Sequence, residues 1–562
     1  MSRPDKGRGV VIVNKSHYIE GLSRIVSNTD KFEIISDDIN RVSWLLEDKL
    51  NGFLLNLKKL GHISQDLYGK LHVTGTGPGI LYGLAKVHKD NFLVNHLYRP
   101  IFAAYNCASY KISKFLVDIL SPIAENQYTI KNSAHFREQI SNMTDPSNLY
   151  MTSFDIKDLY TNIPLQETID ICLSQIHGSL LNIPQNLFRK LIELSVFNTM
   201  FAFNGRFYKQ KDGLGMGLPL SPIMANIFLC YHETRWLQDC PVEYRPVFYR
   251  RYMDDTFVLF RHENHAAKFL EYLNSKHPNI MFTSESEVNG DIAFLDCLVS
   301  RGDQFCTGVY RKKTFSGQGL SFFSFCPYIF KINSIKTLLA RAYRVSSTFT
   351  ALNKEFSFLA EYFFRNGYPK KLVYSQIGKF IQNLSHPSPI FHTVAKRKMF
   401  ISIPYFGRQS EKLKNEISTV IADLFPQLDL KVILSNKYTI GSLFKFKEPL
   451  PRSMLSSIVY KYSCAQCASG TYVGSTTRAV HMRIAEHRGR SFRTGKLLSQ
   501  PGHSAIREHS LRCSKQISAS DFSVLGQEKC EISLRILESL HIHVQKPSLN
   551  EMQSSFPLKI VY

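Results

Sequence analysis

The chain has 562 residues and carries 69 Lys and Arg against 46 Asp and Glu, a formal net charge of +23. That length exceeds one ordinary core, so roughly three to five lobes are expected. A 44% hydrophobic and 20% charged composition excludes a disordered chain. The positive excess points to a polyanionic partner, nucleic acid first. No run reaches the ~18 unbroken apolar residues of a membrane span. Eleven cysteines behind the N-terminus MSRPDKGRGVVIV, which lacks a secretory pattern, predict a reducing compartment rather than a disulfide framework.

In chain order, residues 1–150 mix short strands and helices, with a strand predicted over 10–13. A hairpin-like basic segment follows over 79–103, bearing Lys86, Lys89 and Arg99. Residues 149–260 alternate apolar strands and helical stretches, as an α+β core does. Apolar spacing in NSIKTLLARAY predicts helix across 333–365. Residues 404–452, with Pro404, Pro426, Pro449 and Pro451 around a helix at 410–425, read as a connector. Residues 453–562 have their own cysteines, histidines and basic cluster and read as a separate domain.

The first chemistry-bearing pattern is acidic. An apolar strand over 149–154 ends in Asp155. Further on, Tyr252-Met253-Asp254-Asp255 forms a tight acidic turn between two strands. Adjacent carboxylates repel, an arrangement that a cation compensates. Three of them on neighbouring strands suit two Mg²⁺ ions, which prefer hard oxygen ligands. YMDD, preceded by SFDIKDLYTNIPL and GMGLPLSPIMANIFL, resembles the palm of reverse transcriptases. The resemblance implies that Asp155 and Asp254 hold the metals and that Asp255 completes the cluster. It makes Tyr160 the aromatic gate against the 2′-hydroxyl. Gly215, Met216 and Gly217 become the turn on which nucleotide and template lie, with Met where many reverse transcriptases have Gln. Lys86 and Arg99 correspond to the fingers residues that clamp the incoming triphosphate, a contact that cations favour. Asp296 in Phe294-Leu295-Asp296 reads as structural. LYGLAKVHK with YRPI, and later RKKTFSGQGL with RAYRVSS, resemble Penelope-like elements in particular.

The C-terminal region carries Cys464-x-x-Cys467 and, downstream, His509 and Cys513 four apart as on one helical face. That inventory fits a structural Cys₃His zinc site, with His503 and Cys530 as competing fourth ligands. Tyr460 and Tyr472 lie in strand-like segments. Arg483 and His487 share a helical face. Glu538 lies on another helix, with Asn550 twelve residues later. These residues resemble the GIY-YIG nucleases. The second half of that motif is present as Tyr472-Val473-Gly474; the first, Ile458-Val459-Tyr460, lacks its glycine. Penelope-like elements carry this nuclease after their polymerase, with a cysteine pair between the two tyrosine strands. The resemblance implies that Glu538 binds one Mg²⁺ and that Tyr460 acts as general base, assisted by Tyr472 and His487. Arg483 would stabilise the phosphorane and supply the positive charge that depresses Tyr460. Arg488, Arg490, Arg493 and Lys496 are expected at DNA phosphates.

The expected molecule is therefore an α+β multidomain protein. It has fingers over 1–148, palm over 149–305, thumb over 306–403, a linker over 404–452 and a zinc-containing GIY-YIG α/β nuclease over 453–562. The expected partners are template RNA, target DNA duplex, RNA–DNA hybrid and dNTPs, in the nucleus and without a membrane. The expected activity is nicking of target DNA and reverse transcription from the exposed 3′-hydroxyl. A telomere-end-extending enzyme and a catalytically silent nucleic-acid-binding protein are the alternatives. The sequence leaves the oligomeric state open.

Overall fold

The computed structural model describes residues 1–7, 9–89, 91–143, 146–176, 183–385, 397–436, 439–444, 447–467 and 470–551. At its centre is an antiparallel four-stranded sheet, ordered Phe248–Tyr252, Asp255–Phe260, Tyr150–Ile156, Phe282–Ser286. Residues 256–260 are buried, as expected of a strand covered on both faces. The helices Leu165–Gln175, Ser221–Gln238 and Glu263–Asn274 pack their apolar residues into the largest core cluster, with Met224, Phe228, Val258 and Phe269 fully buried. Pro222 sits in the first turn of its helix, where no amide donor is needed.

A five-stranded sheet lies beside it, ordered Phe32–Ile34, Arg206–Gln210, Met200–Phe203, Gly79–Ala85, Tyr98–Ala103. The last two strands are an antiparallel hairpin with the short helix Phe92–Asn95 in its loop. The strand expected over 10–13 does not form. Gly7 and Gly9 take positive φ and turn the chain back, so that only Val11 bridges, to Ser2. Ser2 Oγ donates to Gly83 O at 2.7 Å and the Asp5 amide to Ala85 O at 2.8 Å. The N-terminal segment is thus a strap along the hairpin.

After the central sheet come the hairpin strands Asp291–Phe294, Cys297–Arg301 and Phe305–Val309, then three helices, Tyr328–Val345, Phe349–Arg365 and Lys370–Ser385. The helical stretch at 333–365 breaks over 346–348, where Thr348 Oγ1 caps the second helix by accepting from the Ala351 amide. The connector has more structure than a linker. Arg397–Pro404 and Leu428–Ser435 pair in parallel across the helix Arg408–Leu424, a βαβ unit that begins before residue 404. Its continuation rests on the five-stranded sheet, with the Asn204 amide donating to Glu448 at 2.8 Å.

The C-terminal region has a three-stranded antiparallel sheet with Ile458–Ser463 between Thr471–Thr476 and Phe522–Gln527. The helices Val480–His487, Ala505–Arg512 and Glu531–Gln545 accompany it. This unit is docked on the N-terminal region. Phe492 meets Trp44 edge-on at 6.2 Å, Arg493 pairs with Asp48 at 2.8 Å, and a Cβ on Gly75 would lie 2.3 Å from Thr477 O. No helix among the described residues is long and apolar enough to cross a membrane.

Candidate functional site

Three clusters of sequence-predicted residues form, one on the central sheet and two in the C-terminal unit. In the first, Asp155 and Asp255 are cross-strand partners on the central sheet, and Met253 takes a left-handed φ of 54° to turn the chain through Asp254. The turn is fixed from beneath by Arg251, which the sequence reading overlooked. Its Nη1 donates to Met253 O at 3.0 Å and to Asn226 Oδ1 at 2.9 Å. Its other nitrogens grip Glu233 at 2.7 and 3.0 Å. Arg251 is 1% and Glu233 2% exposed. An arginine in the strand FYRRY and a glutamate on an otherwise apolar helix face were the available signals.

Asp155 and Asp255 are exposed and Asp254 is half-buried. Partial desolvation there and the charges of Asp254 and Asp155 push Asp255 up to about 6. Asp155 is raised for the same reasons, desolvation first and Asp254 next. Lys6, Lys89 and Lys312 act on this cluster in the opposite sense. Three carboxylates whose repulsion these lysines only partly offset are the hard-oxygen donor set that suits Mg²⁺.

Tyr160 lies within the field of Asp254 and Arg99, its hydroxyl raised by burial and then by Asp254. Its carbonyl accepts from the Leu214 amide at 2.7 Å, which ties it to the glycine turn. Met216 O accepts from the Phe102 amide at 2.7 Å, so that turn is braced on the basic hairpin. Gly217, at φ +132°, has no room for a side chain: a Cβ would stand 1.9 Å from Phe102 O. Its small size serves the approach of the protein's own backbone. Lys86 lies 4.0 Å from Asp158. Arg99 is in ion-pair contact at 2.7 Å with the buried carboxylate of Asp5, on the N-terminal strap. Asp296 is structural: it accepts from Ser133 and pairs with Arg341 at 2.8 Å.

In the second cluster Tyr460 is fully buried on the middle strand. Its hydroxyl lies 2.8 Å from His487 Nε2 and accepts from Arg483 Nε at 3.2 Å. The rings of Tyr460 and Tyr472 are 6.4 Å apart. Gly474 makes this possible, since a Cβ there would lie 2.6 Å from the Tyr472 ring and 2.8 Å from the Tyr460 hydroxyl. Glu538 accepts from Ser475 Oγ at 2.9 Å, and its charge acts on both tyrosines. One electrostatic expectation fails: burial outweighs the guanidinium of Arg483, and Tyr460 is held well above the ordinary tyrosine range. Burial, with Arg483, pushes His487 down to about 3, so the imidazole is neutral. Asn550, expected with this cluster, bonds the backbone of Val473, between Tyr472 and Gly474. Its amide group donates to Val473 O at 2.8 Å and accepts from the Val473 amide at 2.9 Å, tying the end of the described chain to the sheet.

The ligand atoms of Cys464, Cys467, His509 and Cys513 lie within 4.8 Å of one another. Two thiols stand 2.9 Å apart, Cys467 and Cys513. A Cβ on Gly470 would lie 2.4 Å from His509 Nε2, so that glycine lets the knuckle close. Soft sulfur with one imidazole is a zinc-type donor set. Of the competing ligands, His503 pairs instead with Glu508 at 3.0 Å, and Cys530 is exposed ahead of the last helix. The basic run is partly committed within the protein. Arg488 donates to Ile517 O at 2.8 Å, Arg490 to Gly495 O at 3.0 Å, and Arg493 is the arginine held by Asp48. A further group, Glu167, His232 and His277, gathers behind the central sheet. The Asn279 amide donates to His277 Nδ1, which leaves Nε2–H to donate to Glu167, a satisfied hydrogen-bond set.

Residues 87–282 match the family described as reverse transcriptase (RNA-dependent DNA polymerase). That segment is a reverse transcriptase domain. It contains Asp155, Asp254, Asp255, Tyr160 and the glycine turn, and its fold is mixed α+β. Residues 318–378 match the animal helix-turn-helix domain, a stretch that takes in the helices Tyr328–Val345 and Phe349–Arg365 and the start of Lys370–Ser385. None of the curated proteins matches the chain. Among solved structures, a telomerase from Candida albicans in complex with a fragment of telomeric RNA is similar at 12% identity and a TM-score of 0.38, over 65% of this chain and 67% of that one. An apo telomerase from Candida tropicalis gives 11% and 0.37, over 66% and 62%. A Sicinivirus RNA-dependent RNA polymerase gives 12% and 0.36, over 66% and 87%. The chain spans 59% of the length of a C-terminally truncated Candida tropicalis telomerase.

Proposed function

We propose that the chain is an RNA-directed DNA polymerase joined to a DNA endonuclease, of the kind carried by Penelope-like retroelements. It nicks target DNA and extends the exposed 3′-hydroxyl on an RNA template. The observation that carries this reading is the presence of two separate reactive clusters in one chain: Asp155, Asp254 and Asp255 within the reverse transcriptase domain, and Tyr460, Arg483, His487 and Glu538 on the C-terminal sheet.

In the polymerase cluster, Asp155, Asp254 and Asp255 would hold two Mg²⁺ ions, which when bound lower the cost of forming the primer alkoxide and neutralise the leaving pyrophosphate. Tyr160 stacks where the sugar lies and excludes a 2′-hydroxyl. Lys86 and Arg99 take the triphosphate, Arg99 exchanging Asp5 for phosphate. In the nuclease, Glu538 would hold one Mg²⁺, which polarises the scissile phosphate. Tyr460 receives the proton of the attacking water, and Arg483 offsets charge on the phosphate. Cys464, Cys467, His509 and Cys513 would hold a structural Zn²⁺, which when bound adds folding free energy to a small domain. The three helices over 328–385 grip the RNA–DNA hybrid as a thumb. DNA as the target places the protein in the nucleus.

The test is one incubation of purified protein with supercoiled plasmid, Mg²⁺, labelled dNTPs and a candidate template RNA. Wild type should nick and attach cDNA to the nick. Asp254→Ala should nick without synthesis, and Glu538→Ala should synthesise only from a supplied primer. Nicking by Glu538→Ala at the wild-type rate, or synthesis by Asp254→Ala, would falsify the corresponding assignment.

A further inference from the structure

We propose that Ser504 is a positioning residue of the nuclease: it holds His487 in the tautomer that accepts the Tyr460 proton. This rests on the nuclease reading above. The argument is proton bookkeeping. The buried hydroxyl of Tyr460 has one proton to donate. Arg483 Nε already donates into its oxygen at 3.2 Å, and the acceptor within reach among the described residues is His487 Nε2 at 2.8 Å. A neutral imidazole that accepts at Nε2 carries its hydrogen on Nδ1. That hydrogen faces Ser504 Oγ at 2.8 Å, on a residue 8% exposed. Ser504 Oγ also accepts the Arg507 amide at 3.2 Å and so caps the helix Ala505–Arg512.

The placement of Ser504 follows from the thiol–imidazole cluster. His509 lies in the helix that Ser504 caps and Cys513 caps its far end, while Cys464 follows directly on the strand that carries Tyr460. The cluster therefore fixes both ends of the relay Tyr460–His487–Ser504. Among the groups facing His487, Arg483 opposes a second positive charge and Phe522 stacks on the ring at 5.9 Å. An acceptor on Nδ1–H is what stabilises the transient imidazolium there. In the step, an O–H bond of water breaks and its proton passes to Tyr460 Oη as the Tyr460 proton passes to Nε2. The hydroxide oxygen bonds phosphorus, and the P–O3′ bond breaks with its electron pair on O3′, which takes a proton from solvent. The imidazolium then returns its proton to solvent, leaving a 5′-phosphate and a 3′-hydroxyl.

The experiment uses full-length Ser504→Gly and Ser504→Asp beside wild type and Glu538→Ala. Glycine is a fair N-cap but offers the imidazole no acceptor, whereas aspartate supplies both functions. We expect Ser504→Gly to keep its zinc content and the KM for supercoiled plasmid but to lose about tenfold or more in kcat, and Ser504→Asp to recover most of that loss. In histidine-labelled protein, ¹⁵N shifts should report His487 as the Nδ1–H tautomer in wild type and as a mixture in Ser504→Gly. Wild-type kcat in Ser504→Gly, a Ser504→Asp as slow as the glycine variant, or unchanged His487 shifts overturn the proposal. Absence of nicking in wild type overturns the nuclease reading instead, and the ¹⁵N comparison still decides the role of Ser504.

Discussion

A guanidinium buried under an acidic turn loses its hydration, and only a full set of partners offsets that loss. Arg251 has the set: two contacts to Glu233, one to Asn226 and one to Met253 O. Glu233→Ala leaves the arginine uncompensated, and denaturant unfolding should show a loss of about 3–5 kcal/mol. Arg251→Met with Glu233→Leu removes both charges and should restore most of that stability. It also removes the donor to Met253 O, so primer extension should stay depressed. Recovery of extension in the double variant would show that the pair holds the core and not the turn. Asp255 works in the opposite sense. Its folded value, about 6, lies above its ordinary 3.8. The fold therefore disfavours the charged form, and the contribution of Asp255 is greatest below the ordinary value and is lost as pH rises through this window. Metal-free Asp255→Asn should melt above wild type at pH 7 and level with it near pH 4, and Mg²⁺ should narrow the gap at pH 7. Equal melting curves at pH 7 would remove the repulsion argument.

Among the elements, the glycine turn shows how a motif can be recognised for one reason and required for another. Gly217 aligns with the nucleotide-facing turn by resemblance, yet its Cβ position is occupied by Phe102 O. Gly217→Ala must shift the hairpin or the turn, and strain at its φ of +132° adds to the clash. It should cost roughly 1–3 kcal/mol and raise the KM for dNTP more than it changes template binding, as read by primer extension and filter binding. Acidic, glycine and tyrosine signatures were legible because chemistry restricts which residues serve at those points. The strand expected over 10–13 failed because two glycines, not apolar patterning, decide where that chain goes. The βαβ unit at 397–435 was hidden because proline spacing suggests a connector, whereas parallel pairing across a helix leaves no local turn signal. The roles of Arg251, Ser504 and Asp5 depend on partners far away in sequence, which periodicity does not report. The cysteine knuckle can be tested directly. Cys513→Ala should reduce bound zinc by one ion per chain and lower the melting temperature, and chelation of wild type should reproduce both effects. Unchanged metal content would leave three reduced thiols and an imidazole packed together without a metal.

At the scale of the whole molecule, the chain of net charge +23 carries two clusters in units that touch each other. The C-terminal unit lies against the helix Ile39–Lys59 through Trp44 and Asp48, which meet Phe492 and Arg493, and through Gly75 against Thr477. Tethered by a free linker, a nick and a polymerase would find each other only at the effective concentration the linker sets. Docking makes that geometry constant, so on the proposed reading a 3′-end would pass between clusters held at a fixed separation. It also accounts for Arg493 being held by Asp48 rather than standing free for phosphate. Trp44→Ala with Arg493→Ala should leave two separate rates near wild type: nicking of supercoiled plasmid, and extension of a supplied primer. cDNA joined to the nick should fall several-fold, and adding excess supplied primer should restore total synthesis. An equal fall in all three would mean that the interface only stabilises the fold. No fall in joined product would mean that the two clusters exchange their DNA through solution.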